Sequence, residues 1–277
     1  MKRSPLFLLL FIISSFVSFV SAQGLLVSPT RVVFENRTRS AGITLVNRST
    51  EAETYRIQFI QMRMQSDGQI KIIEQAGPGD KFSDKLVRYA PRQVTLEPGK
   101  AQIIRLMLRK PADLPPGEYR SHLTFRMVPT GLGTDVENLD NDKEEVGVRM
   151  VPRFGIAVPI IVRNGGTEAS LTVNDLHLQA AASNDTDPAL TFNLARGGDY
   201  SAYGDLAAVH MGDDGKKSIL GLVKGLAVYA PNAHRAFRFP LKVPDHLSLD
   251  SGRIILSYTN HPEKDGARSV YGEIQLR

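Results

Sequence analysis

Residues 146–162 read VGVRMVPRFGIAVPIIV. Every even position is apolar: Val146, Val148, Met150, Pro152, Phe154, Ile156, Val158, Ile160 and Val162. The odd positions include Gly147, Arg149, Arg153 and Gly155, so the large apolar groups gather mainly on one face. A period of two is the pattern of a strand, not of a helix. Extended at about 3.3 Å per residue, the stretch would reach roughly 55 Å, well beyond the usual strand of about 5–6 residues. One small sandwich cannot use all of it in one register. Pro152 and Pro159 each remove a ladder donor, which places the stretch at a sheet edge. A long apolar edge invites pairing with another chain, and Arg149 and Arg153 blunt only the odd face. Two readings stand at this point: a buried strand with a bulge, or a strand kept adhesive because it is lent to another chain.

The segment before it, Thr130–Glu145, is rich in Gly, Asp, Asn and Glu and cannot bury enough to order itself. It reads as a solvated loop; the functional alternative is that it leaves the next strand loosely held until a partner arrives. Further upstream, from Gly24, short alternating segments are separated by turn residues, with no amphipathic helix. The candidate strands are Leu25–Phe34, Ala41–Val46, Thr54–Gln61, Gln69–Glu74, Arg92–Glu97, Ala101–Arg109 and Glu118–Val128. Together with the long strand they predict an antiparallel sandwich. In Glu118–Val128 the odd residues Tyr119, Leu123, Phe125 and Met127 share one face, and Arg120, His122, Thr124 and Arg126 the other. Tyr119 follows Leu114-Pro115-Pro116-Gly117, where a tyrosine corner opens a penultimate strand.

At the start of the chain, Lys2 and Arg3 precede the apolar run Leu6–Val20, and Val20-Ser21-Ala22 offers small residues for cleavage. Residues 1–22 therefore read as a secretory signal peptide. The run is short for a membrane span, and no second span is expected, so the mature chain is expected to be soluble and exported. There is no cysteine, hence no disulfide framework. The formal charge of +5 falls to +3 without Lys2 and Arg3, too mild to argue for nucleic acid. A hydrophobic content of 42% suits packed cores. After Arg163-Asn164-Gly165-Gly166 the strand pattern restarts. Seven segments follow: Ser170–Leu178, Leu190–Leu194, Gly204–Met211, Ile219–Tyr229, Ala236–Leu241, Arg253–Thr259 and Val270–Leu276. The fold class is all-β, with two sandwich domains over residues 23–163 and 164–277.

Signals for catalysis are thin. No thiol and no GxSxG elbow exist, and His122, His177, His210, His234, His246 and His261 show no zinc spacing. Gly131-Leu132-Gly133 lacks the rest of a dinucleotide fingerprint. Asn184-Asp185-Thr186-Asp187 lacks EF-hand spacing and reads as an Asx-type turn. The reading is of a non-enzyme that needs no cofactor and no metal. Arg31 is flanked by apolar residues. Either it faces outward on an exposed strand, or its planar fork captures a carboxylate.

Ser28-Pro29-Thr30-Arg31-Val32-Val33-Phe34 resembles the opening strand of the PapD-like periplasmic pilus-assembly chaperones of chaperone–usher systems. Tyr89-Ala90-Pro91-Arg92-Gln93-Val94-Thr95-Leu96-Glu97-Pro98-Gly99, with Gln102 and Arg105, is similar to their mid-domain block, as is Leu114-Pro115-Pro116-Gly117-Glu118-Tyr119-Arg120. Arg196-Gly197-Gly198 with Ser201, Tyr203, Gly204 and Asp205 resembles the branch that builds archaic-type pili. The resemblance runs from about Leu25 to the C-terminus.

It implies two immunoglobulin-like domains in a boomerang arrangement, without catalytic activity. It implies pilin (fimbrial) subunits and an outer-membrane usher as partners, with no nucleic acid and no membrane span. A self-capping dimer is a possible state of the free protein. In this family the long strand completes the subunit by donor-strand complementation, which makes residues 146–162 the donor strand. Val148, Met150, Phe154, Ile156, Val158 and Ile160 become the groove-filling side chains. Arg31 falls on the family's first anchor for the C-terminal carboxylate of the pilin. The second anchor, a lysine in better-known members, falls on Pro159, which leaves Arg153 and Arg163 as the nearest basic substitutes. The rival reading is an exported structural or adhesive surface component, which would show a missing strand or a detachable N-terminal extension.

Overall fold

The computed structural model describes residues 24–128, 155–181, 187–260 and 268–276. Within them the chain is all-β, with eighteen strands and no helix. The expected strand Leu25–Phe34 is two strands. β1 (Leu25–Ser28) pairs antiparallel with β3 (Ser40–Asn47), whereas β2 (Val32–Phe34) lies parallel to β11 (Gly155–Asn164) in the opposite layer. Pro29 brings no N–H and a fixed φ, so the first ladder stops there and the chain crosses between layers, carrying Arg31 in the crossing.

The first sandwich stacks two sheets. One runs β1, β3, β9 (Ala101–Leu108) and β7 (Val87–Ala90). The other runs β2, β11, β10 (Gly117–Val128), β4 (Glu53–Ile60) and β8 (Gln93–Leu96). Between them Phe34, Ile43, Leu45, Ile57, Ile104, Leu106, Leu123, Phe125 and Ile160 are fully buried. Each such side chain contributes roughly 1.5–3 kcal/mol of transfer free energy. The Tyr119 hydroxyl donates to the Pro115 carbonyl oxygen at 2.8 Å, which is the tyrosine corner that the Leu-Pro-Pro-Gly block predicts. A short hairpin, β5 (Met62–Met64) with β6 (Ile70–Ile72), stands apart from both sheets. β5 and β7 have three and four residues, too few for alternation to mark them in the sequence.

The second sandwich sets the sheet β12 (Ser170–Gln179), β13 (Ala189–Gly197), β16 (His234–Pro240) against a four-stranded one. That sheet runs β15 (Lys217–Val228), β14 (Ala202–Met211), β17 (Arg253–Asn260), β18 (Arg268–Gln275). Leu190, Leu194, Leu206, Leu220, Phe239 and Leu256 fill its core. The seven segments expected after Gly166 correspond to these seven strands. A third cluster lies between the sandwiches: Met64 and Ile161 from the first, Ala227 and Tyr229 from the second, with Val33 and Tyr203 against them. No helix among the described residues is long and apolar enough to cross a membrane.

β10 and β11 pair from Gly117↔Asn164 to Arg126↔Gly155. On the far side of β11, β2 covers only Ile160, Ile161 and Val162. From Gly155 to Pro159 that edge has no neighbouring strand among the described residues. Pro159 stands immediately before the parallel pairing begins, as a residue without a ladder donor should.

Candidate functional site

Alternation along β10 turns Glu118 and Arg120 away from the first core, yet both are buried. The second sandwich covers them. The Glu118 carboxylate accepts from Arg163 Nε at 3.2 Å and from the Ser201 amide at 3.0 Å, and the Ser201 hydroxyl also donates to it. Arg163 further pairs with Glu35 at 3.1 Å, donates to the Ser201 carbonyl oxygen and lies 4.6 Å from the Tyr200 ring centroid. Burying one carboxylate is tolerable only when charge and hydrogen bonds satisfy it, and here Arg163 and Ser201 do so. The Ser201 hydroxyl in turn accepts from the Ala230 amide at 2.9 Å.

Beside this satisfied network sit two arginines that are not satisfied. Arg120 donates through one Nη to the Ala230 carbonyl oxygen at 2.9 Å, and its guanidinium carbon is 4.2 Å from the Tyr229 ring centroid. The Arg31 guanidinium carbon is 4.1 Å from the Tyr203 ring centroid. In both, the buried Nε has no hydrogen-bond partner among the described residues. Burial, followed in effect by the opposing pull of Tyr229, Glu118 and Asp80 and the push of Arg31, leaves Arg120 less firmly protonated than usual. The two cations thus lie close enough to repel. Each comes from the first sandwich and rests on a tyrosine of the second, an arrangement that stabilises a desolvated guanidinium. Burial pushes the Tyr229 phenol up, so the ring stays neutral. His122, two residues along, is pushed down to about 4 by burial and then by Arg120. The arrangement sets two guanidinium groups with unused Nε donors beside the Glu118–Arg163 pair, a seat suited to a small anion such as a carboxylate. Among the described residues no cluster of three His, Asp or Glu gathers to hold a metal.

No family model and no curated protein matches this chain. Solved structures do. One chain of the CsuC–CsuE pre-assembly complex, a chaperone with a tip adhesion subunit from the archaic Csu pili of Acinetobacter baumannii, is 12% identical. The match covers 92% of this chain and 99% of that one, with a TM-score of 0.47. The CupB2 chaperone of Pseudomonas aeruginosa is 15% identical over 91% of this chain and 100% of its own, at 0.44. A chain of the Salmonella enterica SafA pilin–SafB chaperone complex is 15% identical over 92% and 97%, at 0.42. In fold the chain resembles the periplasmic pilus-assembly chaperones. At these identities and scores the likeness assigns no residue a role; the strand registers and the seam carry the rest.

The residues that the resemblance to such chaperones singles out divide into three groups. Arg31 lies in the seam, on Tyr203. Arg163 lies there too, paired with Glu118 and Glu35; Arg120 is the arginine beside Arg31. Arg120 is legible in the sequence only as one of the outward residues of Glu118–Val128, a position ordinarily solvated. Of the strand residues, Val158 and Ile160 are sealed in the first core at 1% and 0% exposure. Ile156, on the same face near the open edge, is 37% exposed. Val148, Met150, Phe154 and Arg153 lie outside the described residues. Two residues of the block beginning Arg196-Gly197-Gly198, Ser201 and Tyr203, form the far wall of the seam.

Proposed function

We propose that this chain is a periplasmic chaperone that binds, folds and caps pilin subunits and delivers them to an outer-membrane usher. The observation that carries this reading is the seam: two arginines, stacked on tyrosines, with buried donors left over. A pilin's terminal carboxylate is the acceptor they lack, and Arg31 and Arg120 together form the anchor. From that anchor the pilin's last strand runs along the open edge of β11, from Pro159 toward Gly155 and on into residues 146–154. Main-chain bonds set the register and alternate side chains, Ile156 first, choose the pockets. Val158 and Ile160 hold the strand to the chaperone's own core instead of entering the partner. The function needs no cofactor and no bond-breaking step; release at the usher comes by exchange for a better-fitting strand.

The test is affinity purification of the mature chain from its host's periplasm, with mass spectrometry of what accompanies it, beside Arg31→Ala, Arg120→Ala and Ile156→Asp. A roughly equimolar small β-rich subunit with the wild type, lost in all three variants, upholds the reading. Retention by both arginine variants discards the anchor. Retention by Ile156→Asp alone moves the contact elsewhere along the strand.

A further inference from the structure

Across residues 62–80, between β4 and β7, the polar contacts with the second sandwich all go to one place. The Asn232 amide donates to the Met64 carbonyl oxygen at 2.9 Å and the Ala236 amide to the Ser66 carbonyl oxygen at 2.8 Å. The Arg235 guanidinium lies over Gly68, where a Cβ would collide with it. A Cβ at Gly79 would stand 2.8 Å from Pro231 Cβ. The segment is braced internally by the Arg63–Asp80 ion pair and by the Gly77 amide donating to Asp80 at 3.0 Å. All its targets, Pro231, Asn232, Arg235 and Ala236, lie on the turn joining β15 to β16 or just beyond it. That turn carries Tyr229 and Ala230, the two residues that seat Arg120.

We propose that residues 62–80 form a clasp from the first sandwich onto this turn, and that the clasp positions Arg120 for its anion. The inference rests on the carboxylate reading above and adds a determinant outside the seat. A guanidinium between Tyr229 and an incoming carboxylate must be held to within a fraction of an ångström for a bidentate contact. Arg120 is long and, on its own strand, has no donor-matched partner to hold it. Its place is set by the turn, and the turn's place by the clasp. Gly79 is the least yielding point, because Pro231 is rigid whereas the Arg235 side chain over Gly68 can move aside.

Gly79 and Gly99 make a matched pair for the test. Both have left-handed φ, +79° and +71°, so alanine strains both. Only at Gly79 does the new methyl meet the second sandwich; at Gly99 nothing lies within 4 Å. Acetate is titrated at constant ionic strength into the ¹⁵N-labelled mature chain, with acetamide as the neutral control, following the Nε–Hε resonances of Arg31 and Arg120. Amide exchange at Ala236 is measured in the same samples. Gly79→Ala is expected to weaken acetate by roughly tenfold, the loss of about one charge-assisted hydrogen bond, and to speed exchange at Ala236. Gly99→Ala leaves both at the wild-type values. Wild-type acetate affinity in Gly79→Ala overturns the clasp's positioning role. If acetate leaves the wild type unmoved, the carboxylate reading fails instead. The clasp is then judged by the Arg120 Nε resonance and Ala236 exchange: displacement in Gly79→Ala alone upholds it, and no displacement overturns it.

Discussion

Arg120 and Tyr229 belong to different sandwiches and are 109 positions apart, yet the guanidinium carbon of one lies 4.2 Å from the ring centroid of the other. A second such pair, Arg31 on Tyr203, lies beside it. Both cations are supplied by the first sandwich and both aromatic faces by the second, so the seat exists only where the two meet. Four consequences can be measured.

Arg120→Met should raise stability while removing carboxylate binding. A buried guanidinium beside Arg31 costs desolvation that its stacking and single Ala230 bond offset only in part, and methionine fills similar volume without that cost. The expected gain is about 1 kcal/mol, roughly 3 °C in Tm for a chain of this size. Differential scanning calorimetry without added anion decides it. A fall of several degrees would show that stacking outweighs desolvation.

Stability should decline in mild acid through His122. Its folded pKa of about 4 lies below the ordinary value of 6.5, so the unfolded chain binds more protons between these limits. The contribution is complete above about pH 6.5, shrinks as the pH falls and is lost by about pH 4. It amounts to about 3 kcal/mol at most. Urea midpoints across that range should slope accordingly for the wild type and less steeply for His122→Leu. Equal slopes would assign the acid sensitivity to other groups.

Ile156→Asp and Val158→Asp, two residues apart on one face, should behave in opposite ways. Ile156 is 37% exposed at the open edge, so its aspartate should stay within about 0.5 kcal/mol of wild type while losing the proposed pilin contact. Val158 is sealed in the core, and a carboxylate there should cost at least about 3 kcal/mol. Circular dichroism melts read both. A stable Val158→Asp would mean that the core opens easily enough for Val158 to serve a partner.

Glu118→Ala should destabilise the seam by about 3–5 kcal/mol, because among the described residues it leaves the Arg163 charge with Glu35 and a distant Glu168 as counter-ions. Glu118→Gln keeps the acceptor for Ser201 and should cost roughly half as much. Chemical denaturation with probes in each sandwich would show the loss as a separation of two transitions. Coincident transitions with an unchanged midpoint would mean that the two sandwiches do not depend on this pair.

The sequence by itself determined the strands and the faces they bury. Alternation is a local property, so Glu118–Val128 and the seven segments after Gly166 were legible without knowing what packs on them. The Leu-Pro-Pro-Gly block likewise announced the Tyr119 corner, whose bond spans only four residues. Arg31 could be singled out because a charge among apolar neighbours shows in one dimension. Tertiary structure alone decided the remaining points. Pro29 breaks the first strand because β3 and β11 stand on opposite layers, and only the packed sheets say where its two halves go. Val158 and Ile160 share the face of Ile156, but the sheet opposite closes over two of them and leaves the third half open. Arg163 and Arg120 are both basic and both near the seam. Which one is spent and which is left over depends on Glu118, Ser201, Tyr229 and Ala230, brought together across two domains. Periodicity reports which side of a strand a residue is on; only the fold reports what is waiting there.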